Sequence, residues 1–134
     1  MIPTEILDVL GAKKVLRQLK EAGTIPAGKK ETIIDISGNK VIAMGYGQCS
    51  DKNAVVEFLV DGTTYSTTAE EAYNMGIDDA NPVMPFVTKY DPIDDIYALM
   101  WTPVSGQYVR ERFQVNITPT VAATYVVIVY YVDL

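Results

Sequence analysis

Histidine is absent from the sequence, cysteine occurs once, at Cys49, and no apolar run approaches the ~18 residues of a membrane-spanning helix. Each lack removes a class of function. Without histidine, the commonest general base near neutral pH and the commonest metal ligand are missing, and no serine or cysteine can be completed into a triad. One cysteine excludes an intrachain disulfide and a cysteine-built metal site. In Gly47-Gln48-Cys49-Ser50 it reads as a part-buried structural thiol. Ser37, Ser50, Ser66 and Ser105 lack a Gly-x-Ser-x-Gly setting, and there is no Gly-x-x-x-x-Gly-Lys phosphate loop. Gly45-Tyr46-Gly47 is too little for a dinucleotide fingerprint. The expectation is a protein that is not an enzyme and needs no cofactor. Met1 to Glu5 shows no basic region followed by an apolar run, so the chain is expected to mature in a cytoplasm.

What is present is a globular composition. The 134 residues suffice for one core, apolar residues make up 49%, and mean hydropathy is +0.10, high enough to imply surface covered by neighbours. The net charge of −6 is unevenly spread. Residues 1–30 carry six basic side chains against three acidic, whereas residues 31–134 carry five against fourteen. The acidic body excludes duplex nucleic acid as a partner of the whole molecule, because phosphates need a basic face. A basic arm on an acidic body is suited to docking on another copy; a surface helix that merely carries lysines is the alternative.

Local patterns divide the chain near residue 30. Pro3 and Thr4 are helix-start signals, Glu5 and Asp8 suit a first turn, and Val9, Ala12, Leu16 and Leu19 recur on one face. Lys13, Lys14, Arg17 and Lys20 gather toward the C-terminal end, and Gly23 reads as a stop. This predicts a helical arm, one helix or two divided at Gly11, followed by a linker from Ala22 to Lys30, the two together making up residues 1–30. Val9, Leu16, Leu19, Lys13, Lys14, Arg17 and Lys20 are its candidate interface. Beyond it the period becomes two. Strands are expected over 32–36, 40–46, 54–60, 63–66, 85–90, 96–104, 108–117 and 124–132. Gly45 and Gly47 mark a bulge or bend, Asp61-Gly62 a hairpin, and Thr68 the cap of a short helix carrying Glu70 and Glu71. Val109, Phe113, Val115 and Ile117 alternate with polar residues, Glu111 being the exception, and 124–132 is apolar on both faces. The reading is a mainly β protein: an antiparallel β-sandwich over 31–134 with an N-terminal α-helical arm.

Two clusters carry possible chemistry. Asp78, Asp79, Asp91, Asp94 and Asp95 crowd two loops and are candidate calcium ligands, although Asp-Pro and Asp-Asp are also ordinary turn formers. As a glycosidase pair they lack any distinguishing pattern. Tyr46, Tyr65, Tyr73, Tyr90, Tyr97, Trp101 and Tyr108 supply either sugar-stacking platforms or interface and core aromatics.

The run Arg110-Glu111-Arg112-Phe113-Gln114-Val115-Asn116-Ile117, followed after a Thr/Pro loop by Thr124-Tyr125-Val126-Val127-Ile128-Val129-Tyr130-Tyr131-Val132, resembles the closing strand pair of viral and phage β-sandwich structural proteins. These include jelly-roll capsid, vertex, decoration and head-fibre domains. Asn53 to Thr64 is similar to the hairpin such domains place mid-chain. The resemblance spans residues 31–134. It implies a jelly-roll-like body of about seven or eight strands, in a self-assembling or capsid-bound virion component assembled in the host cytoplasm. Its arm would reach a neighbouring copy or another shell protein. The alternative is a carbohydrate-binding module, calcium-assisted through the aspartates.

Overall fold

The computed structural model describes residues 15–81, 84–103 and 106–134. Ten strands and one short helix follow in the order β1 (Arg17–Ile25), β2 (Glu31–Ser37), β3 (Lys40–Cys49), β4 (Val55–Val60), β5 (Thr63–Thr68), α1 (Ala69–Asn74), β6 (Phe86–Asp91), β7 (Ile96–Trp101), β8 (Gln107–Val109), β9 (Arg112–Thr118) and β10 (Ala123–Asp133). They form two antiparallel sheets. Sheet A runs β1-β10-β3-β7-β6, with β8 also on β3, and sheet B runs β2-β9-β4-β5.

Period-two patterning explains why the sheets meet. Along β9, Phe113, Val115 and Ile117 are fully buried, while along β10 Val127 and Val129 turn the same way from the other sheet. Trp101 of β7, 1% exposed, stacks on Phe58 of β4 at 5.5 Å between ring centres and on Phe113 of β9 at 6.0 Å. Tyr65 of β5 stacks on the same indole at 5.4 Å. One tryptophan from sheet A is therefore embedded among three rings of sheet B, in a sandwich-like core.

Gly45 and Gly47 belong to this contact and not to a bulge. Both lie in regular pairing with β7 and β10. A Cβ on Gly45 would sit 2.6 Å from Phe58 Cε1, and one on Gly47 would sit 3.0 Å from Val56 Cγ1. Glycine lets sheet B approach the middle of β3. The irregularity of that pairing falls nearby at Ala43, the extra residue of β3 opposite the Tyr130–Tyr131 step of β10.

Turn chemistry closes the connections. Asp61 and Gly62 both have positive φ, 48° and 89°, as the two-residue turn between β4 and β5 demands. The Asp61 carboxylate also accepts the backbone N–H groups of Arg110, Glu111 and Arg112. That clasp breaks the continuous strand expected over 108–117 into β8 on sheet A and β9 on sheet B, and Glu111 is exposed at the break. Thr68 caps α1 through its hydroxyl, which accepts the Glu71 N–H at 3.0 Å, and Ala69 and Ala72 seal the core.

The N-terminal arm departs from expectation. Arg17 to Ile25, including Leu19 and Lys20, is a strand paired with β10 over nine residues, and α1 is the one helix among the described residues. Leu19, Gly23 and Ile25, at period two, turn toward the body; propensity for helix yields to the main-chain partners that the edge of β10 offers. Leu16 lies just before β1, half-buried. Val9, Lys13 and Lys14 lie outside the described residues. No helix among the described residues is long and apolar enough to cross a membrane.

Candidate functional site

The outward faces of the two sheets differ in character. On sheet B the outward rows read Thr32, Asn116, Glu57 and Ser66, then Asp35, Gln114, Leu59 and Thr64. Ion pairs lie over it: Lys30 Nζ is 3.0 Å from Glu57, and Arg112 donates two bonds to Asp35. The face is polar, although Asn116 in its first row is only 6% exposed. The outward rows of sheet A read Lys20, Ile128, Tyr46, Met100 and Phe86, then Gln18, Tyr130 and Met44. None of these apolar side chains belongs to the core between the sheets. Phe86 is nevertheless only 7% exposed, although it points outward from the edge strand β6. Burial pushes the Tyr46 hydroxyl above its ordinary pKa, and that hydroxyl donates to Gln48 Oε1 at 2.8 Å.

β1 frames this face with charge. Arg17 Nε lies 3.1 Å from Asp133 Oδ2, and Lys40 Nζ 2.6 Å from Asp133 Oδ1, tying three neighbouring strands together. Lys20 stands on the outward face, opposite Ile128. Charged residues on an edge strand discourage indiscriminate pairing with other sheets. Of the predicted interface residues, Arg17, Leu19 and Lys20 thus fall on one strand, with Leu16 leading into it.

A second surface lies at the other edge. Tyr97, Tyr90 and Tyr73 form a chain of rings from the core outward: Tyr97 meets Tyr90 edge-on at 5.0 Å, and Tyr73 stacks on Tyr90 at 3.9 Å. Tyr73 is 54% exposed. The Tyr90 hydroxyl donates to Glu70, which also accepts from Asn74 Nδ2 at 3.2 Å and lies 3.5 Å from Lys52 Nζ. The Tyr90 bond holds the Glu70 carboxyl below its usual range and raises the Tyr90 hydroxyl in turn; the same carboxylate raises the Lys52 ammonium. A groove of about 230 Å³ lies here, lined by Tyr73, Asp78, Val87, Thr88, Lys89 and Tyr90.

The other candidates separate in space or in chemistry. Trp101 is buried and leaves the set of sugar platforms, whereas Tyr108 is exposed on β8. Asp91 accepts the N–H groups of Ile93 and Asp94 at 3.0 and 3.1 Å, forming the β6–β7 turn in which Asp95 has φ 52°. Asp78 lines the tyrosine groove and the Asp79 carbonyl accepts from Asn81. Among the described residues no three acidic or cysteine side chains converge on a metal-sized site. Cys49 is buried, which pushes its thiol up. An apolar cleft of about 420 Å³ beside Ile25, Pro26, Ser50 and Ala123 has no ionisable lining residue.

The contrast between an apolar outward row on sheet A and a polar one on sheet B is not among the sequence-based expectations, although β3 carries its own part openly: Met44, Tyr46 and Gln48 alternate with Gly45, Gly47 and Cys49. Compared with known proteins, the chain matches no family model and no curated sequence, so its own geometry carries the functional reading.

Proposed function

We propose that the chain is a non-enzymatic structural protein of the jelly-roll type, a virion component that self-associates and docks through its N-terminal arm onto a neighbouring copy or shell protein. The strand order carries this reading. With β6 and β8 as additions, β1-β10-β3-β7 facing β2-β9-β4-β5 is the order in which two Greek keys close an eight-stranded roll. The outward rows of sheet A support it: Met44, Tyr46, Met100, Ile128 and Tyr130 are half-buried apolar side chains where sheet B carries acids and amides. The expected particle is an oligomer. Sedimentation equilibrium on the full chain should give a mass several times 14.8 kDa, and deleting residues 1–14, which leaves β1 in place, should return it to one copy. A monodisperse single copy at high concentration overturns the reading.

The tyrosine groove favours a second reading, attachment to a glycan. A rigid exposed ring, braced from behind by Tyr90 and flanked by Asp78 and Lys89, offers a stacking face with hydrogen-bonding groups beside it. Titration with pyranose oligosaccharides should shift amide resonances at Tyr73 and Lys89, and Tyr73→Ala should weaken binding roughly 3–10-fold, the worth of one ring stack. No shift with neutral or acidic glycans removes this reading and leaves the first untouched.

A further inference from the structure

We infer that the chain cross-links itself: the Lys30 amine and the Asn116 side-chain amide are placed to form an isopeptide bond, with Glu57 moving the protons. The three residues belong to neighbouring strands of sheet B, in the order β2-β9-β4. Asn116 of β9 pairs with Glu57 of β4 on one side and with Thr32 of β2 on the other. Lys30 immediately precedes β2, one register step beyond Glu31 and Ile117, which puts it level with Thr118. All three groups belong to one copy, so the bond stands or falls apart from self-association.

The Lys30–Glu57 ion pair brings the groups together. β2 and β4 lie two strand spacings apart, about 10 Å, with β9 between them. A contact of 3.0 Å from Lys30 Nζ to Glu57 Oε1 therefore passes over β9, across the side chains of Asn116 and Thr118. Burial agrees. Asn116 points away from the core yet is 6% exposed, and the Glu57 side chain 14%, on a face where Thr32, Thr64 and Ser66 are open to solvent. The crossing pair is the cover. Beneath it, Asn116 Oδ1 and Thr118 Oγ1 are both buried without a hydrogen-bond partner. Unpaired buried oxygens cost stability, and two side by side call for a use. An amide oxygen that accepts nothing at rest is free to accept as charge develops on it.

The chemistry balances within the cluster. Glu57 takes a proton from the Lys30 ammonium, and the freed amine attacks Asn116 Cγ. Negative charge develops on Oδ1, with the Thr118 hydroxyl two residues along as a donor on the same side. Protonated Glu57 returns its proton to Nδ2, the Cγ–Nδ2 bond breaks, and ammonia leaves with the amine's surplus proton as ammonium. One C–N bond replaces another, Glu57 ends as it began, and no oxidant or outside reagent is consumed. The Lys30 side chain, 55% exposed, leaves ammonia a route to water.

Mass spectrometry of the intact full chain should give the sequence mass less one ammonia. A tryptic digest should contain a branched peptide joining Lys30 to Asn116. Glu57→Gln, shown to be folded by circular dichroism, should form the bond about a hundredfold more slowly or worse. Lys30→Arg keeps a cation opposite Glu57 but has no competent amine. It should retain its full mass and lose roughly 10–20 °C in Tm, the worth of a cross-link that closes a long loop. Loss of an exposed ion pair alone would move Tm by a few degrees at most. A native chain still at full mass after prolonged incubation overturns the inference. So does an ammonia loss without the branched peptide, or bond formation at the native rate in folded Glu57→Gln.

Discussion

Trp101→Ala is expected to cost about 3–5 kcal/mol, lowering Tm by roughly 10–20 °C. The indole is a side chain of one sheet held among the rings of the other. Phe58, Tyr65 and Phe113 approach it from β4, β5 and β9, all on sheet B, while β7 carries it on sheet A. Truncation removes one large apolar surface and leaves three rings facing a void that the flanking strands cannot fill, because each is pinned in its ladder. Trp101→Phe keeps a stacking ring and should cost about half as much or less. Thermal and urea unfolding followed by far-ultraviolet circular dichroism measure both. A loss below ~1 kcal/mol for the alanine variant would mean that the sheets do not close on this side chain.

The second large effect lies in the loop ends. Asp51, 7% exposed, accepts the Thr120 N–H at 2.7 Å, the Thr120 hydroxyl at 2.8 Å and the Asn53 N–H at 3.0 Å. It thereby joins the β3–β4 connection to the loop between β9 and β10. Asp51→Ala leaves those donors without their acceptor and should cost about 2–4 kcal/mol. Burial works to raise the carboxyl's pKa, but the donors outweigh it and hold it below its ordinary value. The sign of the pH effect follows. A native pKa below the unfolded value stabilises the fold above the unfolded value of ~3.9, and that contribution is lost as pH falls from there toward the native value. Asp51→Asn should therefore flatten the acid limb of the stability–pH curve below about pH 4. An unchanged limb would assign acid unfolding to other carboxylates.

From residue 31 onward the sequence was legible because its signals are local. Asp61-Gly62 permits one kind of turn, Thr68 with Glu70 and Glu71 starts a helix, and Val109, Phe113, Val115 and Ile117 share a period. The failures are all matters of tertiary pairing. Arg17 to Ile25 contains helix formers, and only the free edge of β10 makes it a strand. The break between β8 and β9 is imposed from fifty residues away by the Asp61 carboxylate, with Glu111 as its one local trace. The candidate sites divide in the same way. Asp91, Asp94 and Asp95 share the β6–β7 turn while Asp78 and Asp79 lie in another loop, and Tyr73 and Tyr90 are distant in sequence yet stacked. The alternation is legible within β3, but the row across sheet A emerges only when β3 is known to lie between β10 and β7, because register alone puts Tyr46 beside both Ile128 and Met100.

The close approach at the centre of β3 constrains how such a chain can diverge. Position 45 has no room for a methyl group while position 58 holds phenylalanine, and positions 47 and 56 stand in the same relation with slightly more tolerance. Volume at each crossing is shared between two strands far apart in sequence. Sites 45 and 58 are therefore free to change only together, a larger side chain on one strand matched by a smaller one on the other, and this compensating pair would be a signature of descent where the rest of the surface has drifted beyond recognition.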